Sequence, residues 1–349
     1  MKKEIEILLK NNTKLIDLRS EKEFRKGSIP NSINIPILSY KEHKSVGIEY
    51  KKYGQKKAIR LGKKLVSGSI KTNRIQKWCQ FIKNNPGTKI FCQRGGLRSE
   101  IALKWIKEHG VYTSKISGGY KRFRNLFLKT IQLENKIIKN WIIIGGFTGS
   151  GKTDLIIPFK SSIDLEGIAN HRGSAFGKKL LEQPTTSNFE NQLAKLYINN
   201  ESDYLLLEDE SRLIGKNILH DNWYKKMQTS ALIILKSGMR ERVDNILNEY
   251  ILEPLINKMN NKELYNIMSE ALKNIRKRLG GKRYFIIKSI MQDAFNNENE
   301  DLHRDWIQKI LKYYYDPMYI YKMEKREKFM IFKGTKTEIK TYLKNLGVT

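Results

Sequence analysis

The chain has 349 residues, long for one core and comfortable for two domains, and 40% of them are hydrophobic, a globular proportion. No apolar run approaches the roughly 18 residues of a membrane span. The start, Met1 to Glu6, mixes acids with its bases and lacks a signal peptide's apolar stretch, so no membrane association and a cytoplasmic setting are expected. Lys and Arg total 66 against 36 Asp and Glu, a formal charge of +30. Codon bias toward Lys does not account for so few acids, and a charge this large attracts polyanions, nucleic acid first among them.

From the N-terminus, Leu15 to Arg19 reads as a short buried strand, and Glu21 to Lys26 as a short helix stopped by Gly27. Ile33-Asn34-Ile35-Pro36 alternates like a strand that Pro36 closes. Arg74 to Ile82 has helical apolar spacing, which makes Cys79 a small packed residue. Lys89-Ile90-Phe91 is another strand, ending at Cys92; a helix follows from Ser99 to His109, with Gly110 as its stop. Strands alternating with helices predict a parallel α/β sheet. The stretch from Phe123 to Asn140 reads as a connecting helix and sets the boundary, with residues 1–130 as the first domain and 131–349 as the second. In the second, Trp141 to Ile144, Tyr204 to Leu207 and Ser230 to Leu235 read as buried strands. From about residue 238 the chain is mostly helical, interrupted at Gly280-Gly281.

Two cysteines in so long a chain form neither a disulfide framework nor a zinc pattern. Cys92 stands apart because of its loop, Cys92-Gln93-Arg94-Gly95-Gly96-Leu97-Arg98-Ser99. Arg94 and Arg98 supply positive charge, which lowers a thiol's pKa. The glycines let successive N–H groups turn toward an anion, and the following helix adds its dipole. Such a loop suits a cysteine that carries a persulfide or perselenide. The second motif, Gly146-x-x-Gly149-x-Gly151-Lys152-Thr153, fits a P-loop, with a strand before it and helical residues after. Backbone N–H groups would cradle a phosphate, Lys152 would neutralise it, and Thr153 is placed to reach a magnesium ion. Glu208 and Asp209, at the end of a later strand, are either the acidic partners of that metal or a solvated strand end.

Two further segments stand out. Asp164 to Gly177, with Gln183-Pro184 and Phe189-Glu190-Asn191 after it, concentrates acids, glycines, His171 and Arg172 without helical or strand period, which suggests a loop over the phosphate site. Tyr314-Tyr315-Asp316-Pro317-Met318-Tyr319 is either a base-stacking surface or a packed aromatic turn. The basic cluster Lys273, Arg276, Lys277, Arg278, Lys282 and Arg283 is a candidate phosphate-backbone contact or a solvated helix face.

The run Ile16-Asp17-Leu18-Arg19-Ser20-x-x-Glu23-Phe24-x-x-Gly27-Ser28-Ile29-Pro30, the Cys92 loop and Gly118-Gly119-Tyr120 resemble the rhodanese family. Those segments, with Val46-Gly47-Ile48-Glu49-Tyr50, the P-loop, His171-Arg172-Gly173-Ser174, Glu208 to Gly215 and the tyrosine cluster, resemble in order the tRNA 2-selenouridine synthase family. The chain departs from that family at Gln93, where Trp is usual, and at Thr185-Thr186, where Ser-Gln is usual. The resemblance implies a rhodanese-like parallel sheet with flanking helices, then a P-loop NTPase-like α/β domain with a mostly helical C-terminal part. It implies an enzyme that replaces the sulfur of a wobble 2-thiouridine in tRNA with selenium from selenophosphate, through a geranylated thiouridine made from geranyl diphosphate. Cys92, with Arg94 and Arg98, would serve selenium transfer. No resident cofactor is firmly implied. The alternative is a P-loop kinase or NTPase with a rhodanese sulfur-carrier domain.

Overall fold

The structure, a computed structural model, describes residues 2–134, 139–179 and 181–348. It divides into two compact units, Met1–Asn135 with Thr185–Asn199, and Lys136–Pro184 with Asn200–Thr349. Among the described residues no helix is long and apolar enough to cross a membrane.

In the first unit β1 (Leu15–Asp17), β2 (Ser32–Asn34), β3 (Lys89–Phe91) and β4 (Ser114–Lys115) form a parallel sheet in the order β2-β1-β3-β4. The strands are short, but Ile16, Ile90 and Phe91 are wholly buried; Trp78, Ala102 and Ile106 pack with Ile16 and Ile90 from helices Gly68–Asn84 and Leu97–Glu108, while Phe91 meets Phe123. The second of these helices begins two residues earlier than its apolar spacing predicts. The carbonyl of Gly96 accepts from the N–H groups of both Ser99 and Glu100 and so draws Leu97 and Arg98 into the first turn.

The expected connecting helix is instead part of this unit. Helix Gly119–Ile131 buries Phe123, Leu126, Phe127 and Ile131, and the rest of the expected span includes 135–138, outside the described residues. It packs against helix Thr186–Asn199, which buries Phe189, Leu193, Ala194 and Tyr197 at helical spacing. Arg124 donates to Asn191 Oδ1 at 2.8 Å and pairs with Glu190. The segment Phe189-Glu190-Asn191 is therefore helical and belongs with the first unit, not over the phosphate site.

The second unit carries β5 (Asn140–Gly146), β6 (Ser162–Ile163), β7 (Tyr204–Glu208), the short hairpin β8 (Leu213–Ile214) and β9 (Asn217–Ile218), then β10 (Ala231–Leu235) and β11 (Met330–Gly334). Five strands form a parallel sheet, β11-β10-β5-β7-β6. The chain leaves β5 toward one edge and later adds β10 on the other side, so the loop after β5 sits at the topological switch point, where α/β sheets bind ligands. The C-terminal part is helical as expected, with a core of Leu264, Met268, Leu272, Met291, Trp306 and Ile307. The exception is the edge strand β11, which helix Lys336–Asn345 packs against.

Candidate active site

The cysteine loop in the first unit and the P-loop in the second both lie where a parallel strand ends. In the first, Cys92 follows β3 and is buried, 3% exposed. Its Sγ lies 4.0 Å from the carbonyl oxygen of Gly96. Burial acts to raise this thiol. The polar groups turned toward the thiol, the Ser99 hydroxyl and the N–H groups of Arg94 and Ser99, together with the charge of Arg98, outweigh it and leave the pKa below its ordinary value. Arg94 thus acts through its backbone, and its side chain is exposed. Arg98 contributes charge and is itself held by Glu23, at 2.9 and 3.1 Å. Burial would raise the carboxyl of Glu23, but Arg98 and the N–H of Ser20 hold it down at about 2. Cys79 shows none of this; burial pushes its thiol up.

The loop is clamped from downstream. Tyr120 N–H donates to the Cys92 carbonyl at 2.9 Å and Lys121 N–H to that of Gln93 at 3.0 Å. These are N–H groups of the first turn of Gly119–Ile131, which no helical carbonyl can satisfy. Gly119 is required here, because a Cβ at that position would lie 2.1 Å from the Cys92 carbonyl oxygen. Below the loop, buried Arg19 binds both oxygens of Asp17, donates to the Gly27 carbonyl at 2.7 Å and stacks on the Tyr120 ring at 3.7 Å. It also reaches Gln93 Oε1 at 3.4 Å, which ties the residue after the cysteine back to the strand-end pair.

In the second unit the loop after β5 turns through Gly149 and Gly151 at positive φ. Helix Met239–Leu247 braces it. Arg242 donates to the Thr148 carbonyl at 2.9 Å, Asn245 to that of Gly149 at 2.9 Å, and Asp316 fixes Arg242 with two bonds. Lys152 Nζ binds the carbonyl of Gly146 at 3.1 Å. Thr153 Oγ1 donates to Glu208 Oε2 at 2.9 Å, which selects Glu208 rather than Asp209 as its acidic partner. Asp209 is committed elsewhere, in an ion pair with Arg326.

Glu166 and Glu210 join Glu208, and one oxygen from each lies within 4.8 Å of the others. All three carboxyls are pushed above their ordinary range, Glu166 and Glu208 by burial first and then repulsion from neighbouring acids, Glu210 chiefly by burial. Glu208 is 1% exposed and its Oε1 is buried without a hydrogen-bond partner. A threonine hydroxyl, an orphaned carboxylate oxygen and two more carboxyls fit a divalent cation with oxygen ligands, of the magnesium type. Gly173 explains how the segment after β6 reaches them. Its φ is +59, and a Cβ would lie 2.3 Å from Glu210 Oε2. That segment is partly helical, Leu165–Ala169, and delivers Glu166; no sequence period marked it.

These groups line a cavity of roughly 350 Å³ over Lys152. Its far wall is Tyr250, Tyr314, Tyr315, Met318 and Tyr319. The tyrosine cluster is neither a turn nor wholly packed away. It runs through a π-helical turn into helix Asp316–Glu324, with Tyr315 Oη accepting from Ala175 N–H at 3.1 Å and Tyr319 packed on Phe147. Arg172 reaches the cavity while donating to the Glu249 carbonyl at 2.6 Å. His171 is paired with Lys178 in an isolated bridge and does not line the cavity; burial lowers its pKa. All six residues of the basic cluster are exposed at the end of helix Asn261–Leu279 and the start of Gly281–Asn296, and Arg278 extends to the cavity rim.

Residues 139–348 match the family described as tRNA 2-selenouridine synthase AAA domain, and residues 2–126 match the rhodanese-like domain. The chain is 40% identical over 347 residues to the tRNA 2-selenouridine synthase of Shewanella oneidensis, covering 95% of this chain and 92% of that one. It is 39% identical to that of Shewanella frigidimarina (96% and 95% covered) and 38% to that of a Sulfurovum species (96% and 95%).

Proposed function

The chain belongs to the tRNA 2-selenouridine synthase family, and from that premise we propose that it replaces the sulfur of wobble 2-thiouridine in tRNA with selenium from selenophosphate, by way of a geranylated thiouridine. The observation that carries this reading is the cavity over Lys152. It joins a phosphate cradle and a carboxylate trio to an aromatic and methionine wall, and so offers both ends of a prenyl diphosphate a suitable surface. Thr153, Glu208, Glu166 and Glu210 would hold a magnesium ion, which would supply countercharge to the diphosphate.

In the first stage the thiouridine sulfur bonds to carbon 1 of geranyl diphosphate, the carbon–oxygen bond breaks, diphosphate leaves against Lys152 and the loop N–H groups, and the N3 proton of the base passes to water. In the second, selenium replaces the alkylated sulfur at carbon 2 of the base. A thiolate sulfur and the selenium of selenophosphate are both fully reduced, so joining them needs an oxidant that neither substrate supplies. The balanced role for Cys92 is attack on carbon 2. Geranylthiolate leaves and takes a proton from water, the selenium of selenophosphate then bonds to carbon 2 and expels Cys92, and water cleaves the selenium–phosphorus bond to release phosphate. The exposed basic cluster and the +30 charge favour tRNA as the partner, in a cytoplasmic setting.

The test is to incubate the protein with thiolated tRNA, geranyl diphosphate and selenophosphate, then digest and weigh the nucleosides. Geranylated and selenated uridine are expected, and the absence of both refutes the reading. ATP turnover that needs no tRNA and vanishes in Lys152→Ala would favour a nucleotide-consuming enzyme instead.

A further inference from the structure

A second cavity, of roughly 200 Å³, lies wholly in the first unit. One side is helix Tyr40–Leu65, through Val46, Ala58 and Ile59; the other is helix Leu97–Glu108, through Leu97, Ile101 and Trp105. The long helix is bent at Gly54 and buries only Ala58 of its 26 residues, so it covers the space without filling it. Arg98 also lines the cavity, and its charge bears on the Cys92 thiol. An apolar chamber therefore abuts the helix turn that tunes the nucleophile.

We propose that this cavity receives the geranyl chain of geranylated thiouridine while Cys92 acts on carbon 2 of the base. The proposal rests on the reading that a geranylated uridine is the intermediate. A dry cavity of about 150 Å³ accepts a six-carbon ring, so this one takes about eight carbons of a ten-carbon chain and leaves the sulfur end at the mouth. Each methylene placed there favours binding by about fourfold, which discriminates geranylated from plain thiouridine before any bond breaks. The chain rests on the phosphate-site wall when it is attached and in this chamber when it departs, so the two stages use different apolar surfaces.

The test uses the full-length protein, tRNA carrying S-geranyl-2-thiouridine, and selenophosphate, with nucleosides weighed over time. Val46→Phe fills the chamber. It is expected to raise KM for geranylated tRNA at least tenfold, while geranylation of thiolated tRNA and the thiol titration of Cys92 stay as in the parent. Ile101→Ala enlarges the chamber and is expected to shift preference toward farnesylated tRNA. If the parent cannot convert geranylated tRNA, the underlying reading fails. If the parent converts it and both variants match the parent in KM and chain preference, the chamber proposal fails and the reading stands. Should Val46→Phe not fold, the chain-length preference of Ile101→Ala decides the matter.

Discussion

Around Cys92 the ionised side chains have opposite neighbours. Arg98 meets Glu23, Arg19 meets Asp17, and the thiol itself is stabilised as an anion by N–H groups and a hydroxyl. Around Lys152 the balance runs the other way, with two buried carboxyls and a half-buried third against a lysine that binds the loop's own carbonyls. Both sites use a glycine turn after a parallel strand, so the difference lies in the side chains. The first site is electrostatically complete as folded. The second, on the reading proposed above, becomes so with a cation and a phosphate ligand.

The largest expected effect would break the comparison if it failed. Cys92→Ser should lower selenation of pre-geranylated tRNA by about 10⁴-fold or more and leave geranylation within about twofold, measured by nucleoside mass. Lys152→Ala should do the reverse, cutting geranylation by about 10²–10³-fold and sparing the conversion of pre-geranylated tRNA. If either variant stops both stages, the division of labour is wrong.

Two smaller effects sharpen it. The raised carboxyls of Glu166, Glu208 and Glu210 hold protons more tightly in the folded state, so without a cation stability falls as pH rises from the ordinary carboxylate range toward their folded values. A cation replaces those protons. Saturating magnesium should raise Tm by about 5 °C, more at pH 8 than at pH 6, and Glu208→Gln should remove most of the shift. Arg98→Gln should raise the Cys92 pKa and slow its alkylation near neutral pH by about a few-fold, read from alkylation rate against pH, because its charge is only one of several stabilising contributions.

Much of this was legible from residue order. The P-loop and the cysteine loop announce themselves because both depend on local chain geometry, strand, glycines and helix start, which a contiguous motif encodes. What was not legible depends on residues brought together from afar. Glu166 lies in a segment without periodicity, and only its approach to Glu208 and Glu210 gives it a role. The choice of Glu208 over Asp209 required seeing that Arg326, more than a hundred residues on, takes Asp209. Helix Thr186–Asn199 was hidden because its place is set by partners such as Arg124 and the Ser28 carbonyl, not by its neighbours in sequence. The edge strand β11 is five residues long and flanked by helices, which masks its alternation.

That returning helix bears on how such a protein can be rearranged. The first unit is not contiguous. A fragment cut near residue 130 would leave helix Gly119–Ile131 without helix Thr186–Asn199, which packs against it, and so would carry the cysteine loop on an incomplete support. Exchanging the cysteine-bearing unit for another of its kind therefore takes three junctions, at 135/136, 184/185 and 199/200, rather than one. Modularity that looks simple in the linear order is interlaced in the chain, and the two halves are best transplanted, truncated or inherited together.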